Sequence, residues 1–368
     1  MVVGESAGAI LTVNSRTNVA LELIGYNGLK EFSLTKATAT PWASHTIDTS
    51  YTGLAVLVFA EGQAYPVILA DESFTLEIED TSEPPSFSGS NSNTFFYALL
   101  SGNEKEIGTE PDEFASLLGQ AKQLLESSYA IRTTAELQLK KNKFHAFVRE
   151  HYNKLKHSDM VRRLVAQYFM MHEYVDYHVE GTPATDIKSR YQQAVLDGVA
   201  DWLDILSSHI PAQEVLNYCV SLYYQRSMVT LSALIVEKYR DIAFCPGVEK
   251  ETWSFPEDLF ISEANGTAGR QLRSVNGDKV IAFVSEDCPV SMVEAVMNVR
   301  RAAQKKESTV VVPLESLNER HLSMRRMVSG GKMLFVDDEK WRKKVLIEKP
   351  KLLIFVQIED EQVVEVTK

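Results

Sequence analysis

The sequence is poor in cysteine. Its 368 residues hold three, Cys219, Cys245 and Cys288. An odd number gives no disulfide framework, and no Cys/His cluster has zinc-ligand spacing. Long apolar runs are also lacking, and none approaches the roughly 18 residues of a membrane-spanning helix. Positive charge is short: Lys and Arg number 38 against 50 Asp and Glu, a formal net charge of −12. That balance argues against nucleic acid, because phosphate binding needs clustered Lys and Arg. Arg300, Arg301, Lys305 and Lys306 do cluster, at a place where cations suit a helix C-terminus. There are no internal repeats and no low-complexity tracts. The opening Met1-Val-Val-Gly-Glu-Ser6 has neither a basic n-region nor a long apolar stretch. The chain is therefore expected in the cytoplasm, or downstream of an export segment.

What is present is an ordinary globular composition, 45% apolar and 24% charged. The length exceeds the roughly 250–300 residues at which one core stops growing, so two or three domains are expected. Three rhythms divide the chain. Residues 1–92 carry short β-branched and aromatic runs, Ile10–Val13, Val19–Ile24, Leu54–Phe59, Pro66–Leu69 and Phe74–Ile78, separated by turn signals such as Gly25-Tyr-Asn-Gly28. The alternation through Phe74, Leu76 and Ile78 predicts half-buried strands and a small β-sandwich. In residues 93–247 Pro and Gly become rare and the apolar period becomes helical, with faces at Phe114-Leu117-Leu118-Ala121-Leu125, Leu164-Tyr168-Met171-Val175 and Val195-Val199-Trp202-Leu203-Leu206. Thr182-Pro183 and His209-Ile-Pro211 mark breaks, and Tyr218–Tyr239 reads as one more long helix. About five helices are expected.

Residues 248–368 begin with an irregular connector. A continuous apolar run, Val280–Val284, then predicts a strand buried on both faces. A helix over Pro289–Gln304, a strand at Thr309–Pro313, a helix around Asn318–Val328 and a strand pair at Leu352–Val356 and Gln362–Val366 follow. This is an α/β unit with a mixed sheet. The expected fold class is thus multidomain α+β.

Within this last unit Cys288 follows the buried strand and opens the next helix, with Pro289 at the favoured first helical position. Backbone N–H groups and the dipole at such an end stabilise a thiolate. Glu286 and Asp287 oppose that effect, because nearby carboxylates favour the neutral thiol.

The stretch Gly269 to Cys288 resembles the entry to a thioredoxin-like reductase domain. A Gly277-Asp-Lys279 turn leads into the first core strand and then a Cys-x-x-Cys helix start, here Cys288-Pro-Val-Ser291. Glu348-Lys-Pro350-Lys-Leu-Leu-Ile-Phe355 resembles the family's cis-proline and following strand. The order sandwich, helical segment, thioredoxin-like domain is similar to envelope-anchored thiol–disulfide oxidoreductases of Gram-negative bacteria. The resemblance implies a periplasmic or outer-envelope location with a lipid anchor upstream. It implies no cofactor, and as partners client polypeptides or an external thiol reductant. Cys288 would be the nucleophile and Pro350 the client contact. The departure is Ser291 in place of the second cysteine, with Asp287 where the family has tryptophan. A serine cannot release a mixed disulfide. Three readings stay open: monothiol exchange or isomerisation at Cys288, capture of clients, and a redox-inactive scaffold or adaptor.

Other motifs read as structural. His172-Glu-Tyr-Val-Asp176-Tyr-His178 has aspartate where a zincin helix needs its second histidine. Phe169-Met-Met171 and Tyr223-Tyr224 have core spacing, and Cys219 lies in an apolar helix. Cys245, before Pro246-Gly247, is the alternative resolving thiol. Ser329-Gly-Gly-Lys332 is too short for a phosphate loop.

Overall fold

The computed structural model describes residues 9–70, 72–102, 113–175, 181, 183–239, 242, 279–284, 289–305, 308–313, 324–327, 332–335, 355–359 and 362–367. The protein is mixed α+β, and its contacts divide it into two compact units. The first comprises Met1–Ala194 with Asp204–Ile210, and the second Val195–Leu203 with Pro211–Lys368.

The first unit opens with eight strands: β1 (Ala9–Ser15), β2 (Val19–Asn27), β3 (Lys30–Ala39), β4 (Ser44–Thr49), β5 (Gly53–Phe59), β6 (Ala64–Leu69), β7 (Ser73–Ile78) and β8 (Ser86–Ser88). They form two four-stranded sheets, ordered β4-β1-β7-β8 and β3-β2-β5-β6. Each inner strand alternates: Leu11 and Val13, Leu21 and Leu23, Leu57 and Phe59, and Leu76 and Ile78 are buried while their neighbours are not fully so. These side chains share one core across the two sheets. Period two on one buried face fixes the register. The five expected runs are all strands. Strands β3, β4 and β8 were not legible, because they sit at sheet edges and carry mainly Ser, Thr, Lys and Glu.

Helices α1 (Asn91–Ser101), α2 (Glu113–Glu126), α3 (Thr134–Leu155) and α4 (Met160–Tyr174) follow, with a 3-10 turn at Ser127–Ala130. Helix α1 is positioned by polar chemistry. Asn93 is fully buried, and its amide accepts from Ile68 N–H at 2.7 Å and donates to Ile68 C=O at 2.8 Å, completing the outer edge of β6. Helix α3 starts with a capping box, Thr133 with Glu136. The α3–α4 turn meets the strands: Gly28 N–H donates to Lys156 C=O at 2.7 Å and Leu54 N–H to His157 C=O at 2.8 Å.

Helix α5 (Ala184–Leu206) contributes residues to both units. Its buried face is Val195, Val199, Trp202, Ile205 and Leu206, with Leu203 only half-buried. The expected single helix across Tyr218–Tyr239 is two, α6 (Ala212–Gln225) and α7 (Val229–Lys238). Ser227 sits between them at φ 60°. Its N–H reaches Tyr224 C=O at 2.9 Å and Met228 N–H reaches Tyr223 C=O at 2.8 Å, a Schellman stop. Serine in glycine's place hid this boundary.

In the second unit α6 and α7 pack against α8 (Pro289–Lys305), which also lies on the sheet formed by β9 (Lys279–Val284), β10 (Ser308–Pro313), β11 (Lys332–Phe335), β12 (Phe355–Glu359) and β13 (Gln362–Thr367). The sheet order is β11-β10-β9-β12-β13. Strands β9, β10 and β11 are parallel, β12 runs antiparallel to β9, and β13 antiparallel to β12. Strand β11 was not expected, and a 3-10 turn at Met324–Met327 lies within the span expected as a helix.

Candidate functional site

Of the expected motif Cys288-Pro-Val-Ser291, residues 289–291 open α8. Strand β9 supplies Ala282 and Val284, both fully buried, as its continuous apolar run requires. Helix α8 opens at Pro289, the residue after Cys288. Its first two turns are buried almost all round: Val290, Ser291, Met292, Val293, Ala295 and Val296. Such burial follows from a helix covered by the sheet on one side and by α6 and α7 on another. Along the i, i+3, i+4 stripe, Val293 and Val296 are buried and Met297 is half-buried. At the other end Arg300 donates to Met327 C=O at 2.9 Å, tying α8 to the 3-10 turn that precedes β11.

Ser291 is 3% exposed in the first turn of α8. A hydroxyl there can donate or accept a hydrogen bond but cannot exchange with a disulfide. Cys288, Pro350 and Cys245 lie outside the described residues, as do Glu286 and Asp287. Cys219 is fully buried on α6, and desolvation pushes its thiol well above the ordinary cysteine range. It remains protonated and unreactive at neutral pH.

Two arrangements in the first unit were not legible in the sequence. On α3 and α4, Tyr168 is fully buried with His145 stacked on it at 5.0 Å between ring centroids and His172 edge-on at 5.7 Å. The Lys141 ammonium lies 5.0 Å from the same ring centroid. Lys141–His145 and Tyr168–His172 are both i, i+4 pairs, which is the signal that was available. This is core chemistry. His172 is 2% exposed, and Asp176 and His178 lie outside the described residues. Among the described residues no group of His, Cys, Asp and Glu could hold a metal ion.

The second arrangement is a groove of about 480 Å³ between α1, α2, α4 and the 3-10 turn, walled by Phe96, Leu100, Leu125, Tyr129, Met160 and Met170. Its polar groups are engaged. Lys122 donates to Leu99 C=O at 2.8 Å, and Gln167 to Ser128 Oγ at 2.7 Å. It offers apolar surface and no nucleophile.

Among the described residues no helix is long and apolar enough to cross a membrane. No protein-family model matches the chain, and no curated protein matches its sequence.

Proposed function

We propose that the chain is a thioredoxin-like protein of the cell envelope that binds client polypeptides and has weak or absent dithiol redox activity. In this reading the first two sheets are a β-sandwich, a helical segment follows, and the C-terminal domain is thioredoxin-like. The location is the periplasm or outer envelope of a Gram-negative bacterium, with the cytoplasm as the alternative. The observation that carries the reading is the sheet of the second unit. Within its order β11-β10-β9-β12-β13, the four strands β10-β9-β12-β13, with β9 and β10 parallel around α8 and β12 and β13 antiparallel, agree with the order expected of a thioredoxin-like core, and β11 is an added parallel edge strand. Ser291 is buried in the first turn of α8, where this reading puts the redox motif.

Chemically, Cys288 would attack a client disulfide as the thiolate, forming a mixed disulfide and releasing the client's other sulfur as a thiol. Ser291 cannot resolve that species, so release needs an external thiol. Pro350 would contact the client. The test is trapping: mixed disulfides recovered from cell extract and lost in Cys288→Ala support the reading. A thiol at residue 288 that alkylates with an apparent pKa at or above the free value of about 8.5, and traps nothing, leaves a purely structural adaptor.

A further inference from the structure

The two sheets of the first unit end in four edge strands, β4 and β8 on one sheet and β3 and β6 on the other. A free edge is a template for another strand, and proteins guard such edges. Three of these are guarded. Strand β6 carries Pro66 and is covered by α1, through Asn93 on both backbone groups of Ile68 and the Tyr97 hydroxyl on Pro66 C=O at 3.0 Å. Strand β3 carries Lys30, Glu31 and Lys36 and its pairing with β2 is broken by a register shift. Strand β8 is three residues long.

Strand β4 is different. Its six residues, Ser44 to Thr49, pair with β1 without a shift, from Ala9 opposite Thr49 to Asn14 opposite Ser44. It holds no proline and no lysine, and only Asp48 carries a fixed charge. Among the described residues no strand lies on its outer side. Its outward side chains, Ser44, Thr46 and Asp48, are exposed. Ile10, opposite Asp48, is exposed as well.

Beside this edge stands Trp42, 84% exposed, in the turn that joins β3 to β4. Its φ is 62°, in the left-handed region at the turn position that favours glycine. The turn is held there by Pro41, by Ala43 N–H on Thr40 C=O at 3.2 Å, and by Trp42 N–H on Ser15 C=O at 3.0 Å. A large indole thus gains no burial and sits on an unfavourable backbone, in a turn that cannot easily reorient it. Strain of this kind clusters at binding sites, and tryptophan is the side chain most enriched among interface anchors.

We propose that the open edge of β4, with Trp42 as its anchor, docks an extended polypeptide segment that adds to the sheet as a further strand. Backbone hydrogen bonds to β4 would give the affinity and the indole would select a side chain. The acidic net charge and Asp48 favour a neutral or basic segment. A second copy is disfavoured, because two six-residue edges cover far less than the roughly 1,000 Å² of a stable interface. The site is made of first-unit residues alone and goes beyond the thioredoxin-like reading.

The test uses the full chain and a fluorescein-labelled heptapeptide of alternating valine and threonine between terminal lysines, followed by anisotropy. Saturable binding is expected. Trp42→Gly and Thr46→Lys should each weaken it by about tenfold or more. The same peptide N-methylated at alternate residues should not bind, since it cannot complete a ladder. Glycine suits the backbone at 42, so Trp42→Gly should melt no lower than the parent, which separates lost binding from lost folding. Cys288→Ser should leave the affinity unchanged. Equal binding to both edge variants, binding of the N-methylated peptide, no binding at millimolar peptide, or loss in Cys288→Ser would each overturn the proposal. A concentration-dependent dimer abolished by Thr46→Lys would overturn it in favour of self-pairing.

Discussion

The Tyr51 hydroxyl donates to the backbone carbonyl of His157 at 2.9 Å, and the two rings meet edge-on at 5.6 Å between centroids. The same hydroxyl accepts Tyr26 N–H at 3.0 Å. One phenol therefore ties the turn after β4 to β2 and to the α3–α4 turn. Around it Arg162 pairs with Glu31 and lies over the Tyr26 ring at 5.7 Å. Burial pushes the Tyr26 phenol up to about 12, and the Tyr51 phenol is raised by the same cause.

Removing that hydroxyl should cost more than one hydrogen bond. Tyr51→Phe keeps the ring contact but leaves the buried Tyr26 N–H without its acceptor. A loss of about 1–3 kcal/mol is expected. Urea unfolding checks it, read as a fall in midpoint with unchanged slope. No fall would mean that water replaces the phenol at this joint.

Gly53 sets the closeness of the same joint. At φ 141° a side chain is strained, and an added Cβ would lie 2.1 Å from the His157 carbonyl oxygen. The obstacle is backbone, so relief requires the strands and the α3–α4 turn to separate. Gly53→Ala should destabilise the first unit by about 2–4 kcal/mol, seen as a lowered thermal midpoint.

His157 makes the joint sensitive to acid. Burial lowers its pKa below the ordinary value, with Lys156 adding to the effect. The folded form thus disfavours the imidazolium. The neutral state's contribution is fully present above the unfolded pKa of about 6.5. It is lost as pH falls from there through the folded value. Tyr51 packs against its ring and Lys156 is the charge that acts on it, while burial raises the carboxyl of Asp159, two residues further along the chain, which acts in the opposite sense. The parent should lose more stability than His157→Gln between pH 7.5 and 5.5, and equal losses would remove His157 from the account.

Strands β1, β2, β5, β6 and β7 were legible because each packs one face into the shared core, so apolar side chains recur at period two. Strands β3 and β4 were not, since an edge strand with a solvated face carries hydroxyls and charges that read as loop. The βαβ unit around α8 was legible from one continuous apolar run and one proline. The Tyr51–His157 joint spans 106 residues and joins a side chain to a backbone carbonyl, which no local pattern encodes. Candidate residue Ser291 was visible only through its place in a family motif, and its burial needed the helices packed on α8.

The turn after α6 offers a gain in stability. Ser227 holds φ 60° only because the Schellman bonds of residues 227 and 228 fix it there. Glycine adopts that conformation without a Cβ clash, which costs other residues roughly 1–2 kcal/mol. Ser227→Gly should stabilise the second unit by about 0.5–1 kcal/mol, net of the greater freedom of glycine in the unfolded chain. Urea midpoints decide it, and a loss would mean that the serine side chain contributes to the stop.

Ser291→Cys puts the thioredoxin-like reading to its sharpest use. The buried position admits sulfur for oxygen with little change in volume, so the variant should fold. If residue 288 stands one turn before it at the start of α8, the two thiols can close a disulfide, which needs Cα atoms within about 7 Å. Oxidised Ser291→Cys should then lose both added and native thiol at this motif by thiol counting. Cys219 stays buried and unreactive as an internal reference. The reduced variant should also catalyse insulin reduction by dithiothreitol, which the parent does weakly or not at all, because the second thiol now releases the mixed disulfide. A folded variant that keeps both thiols free under oxidant would show that residues 288 and 291 do not share the geometry of a redox motif. The kinship with thiol–disulfide oxidoreductases would then fail.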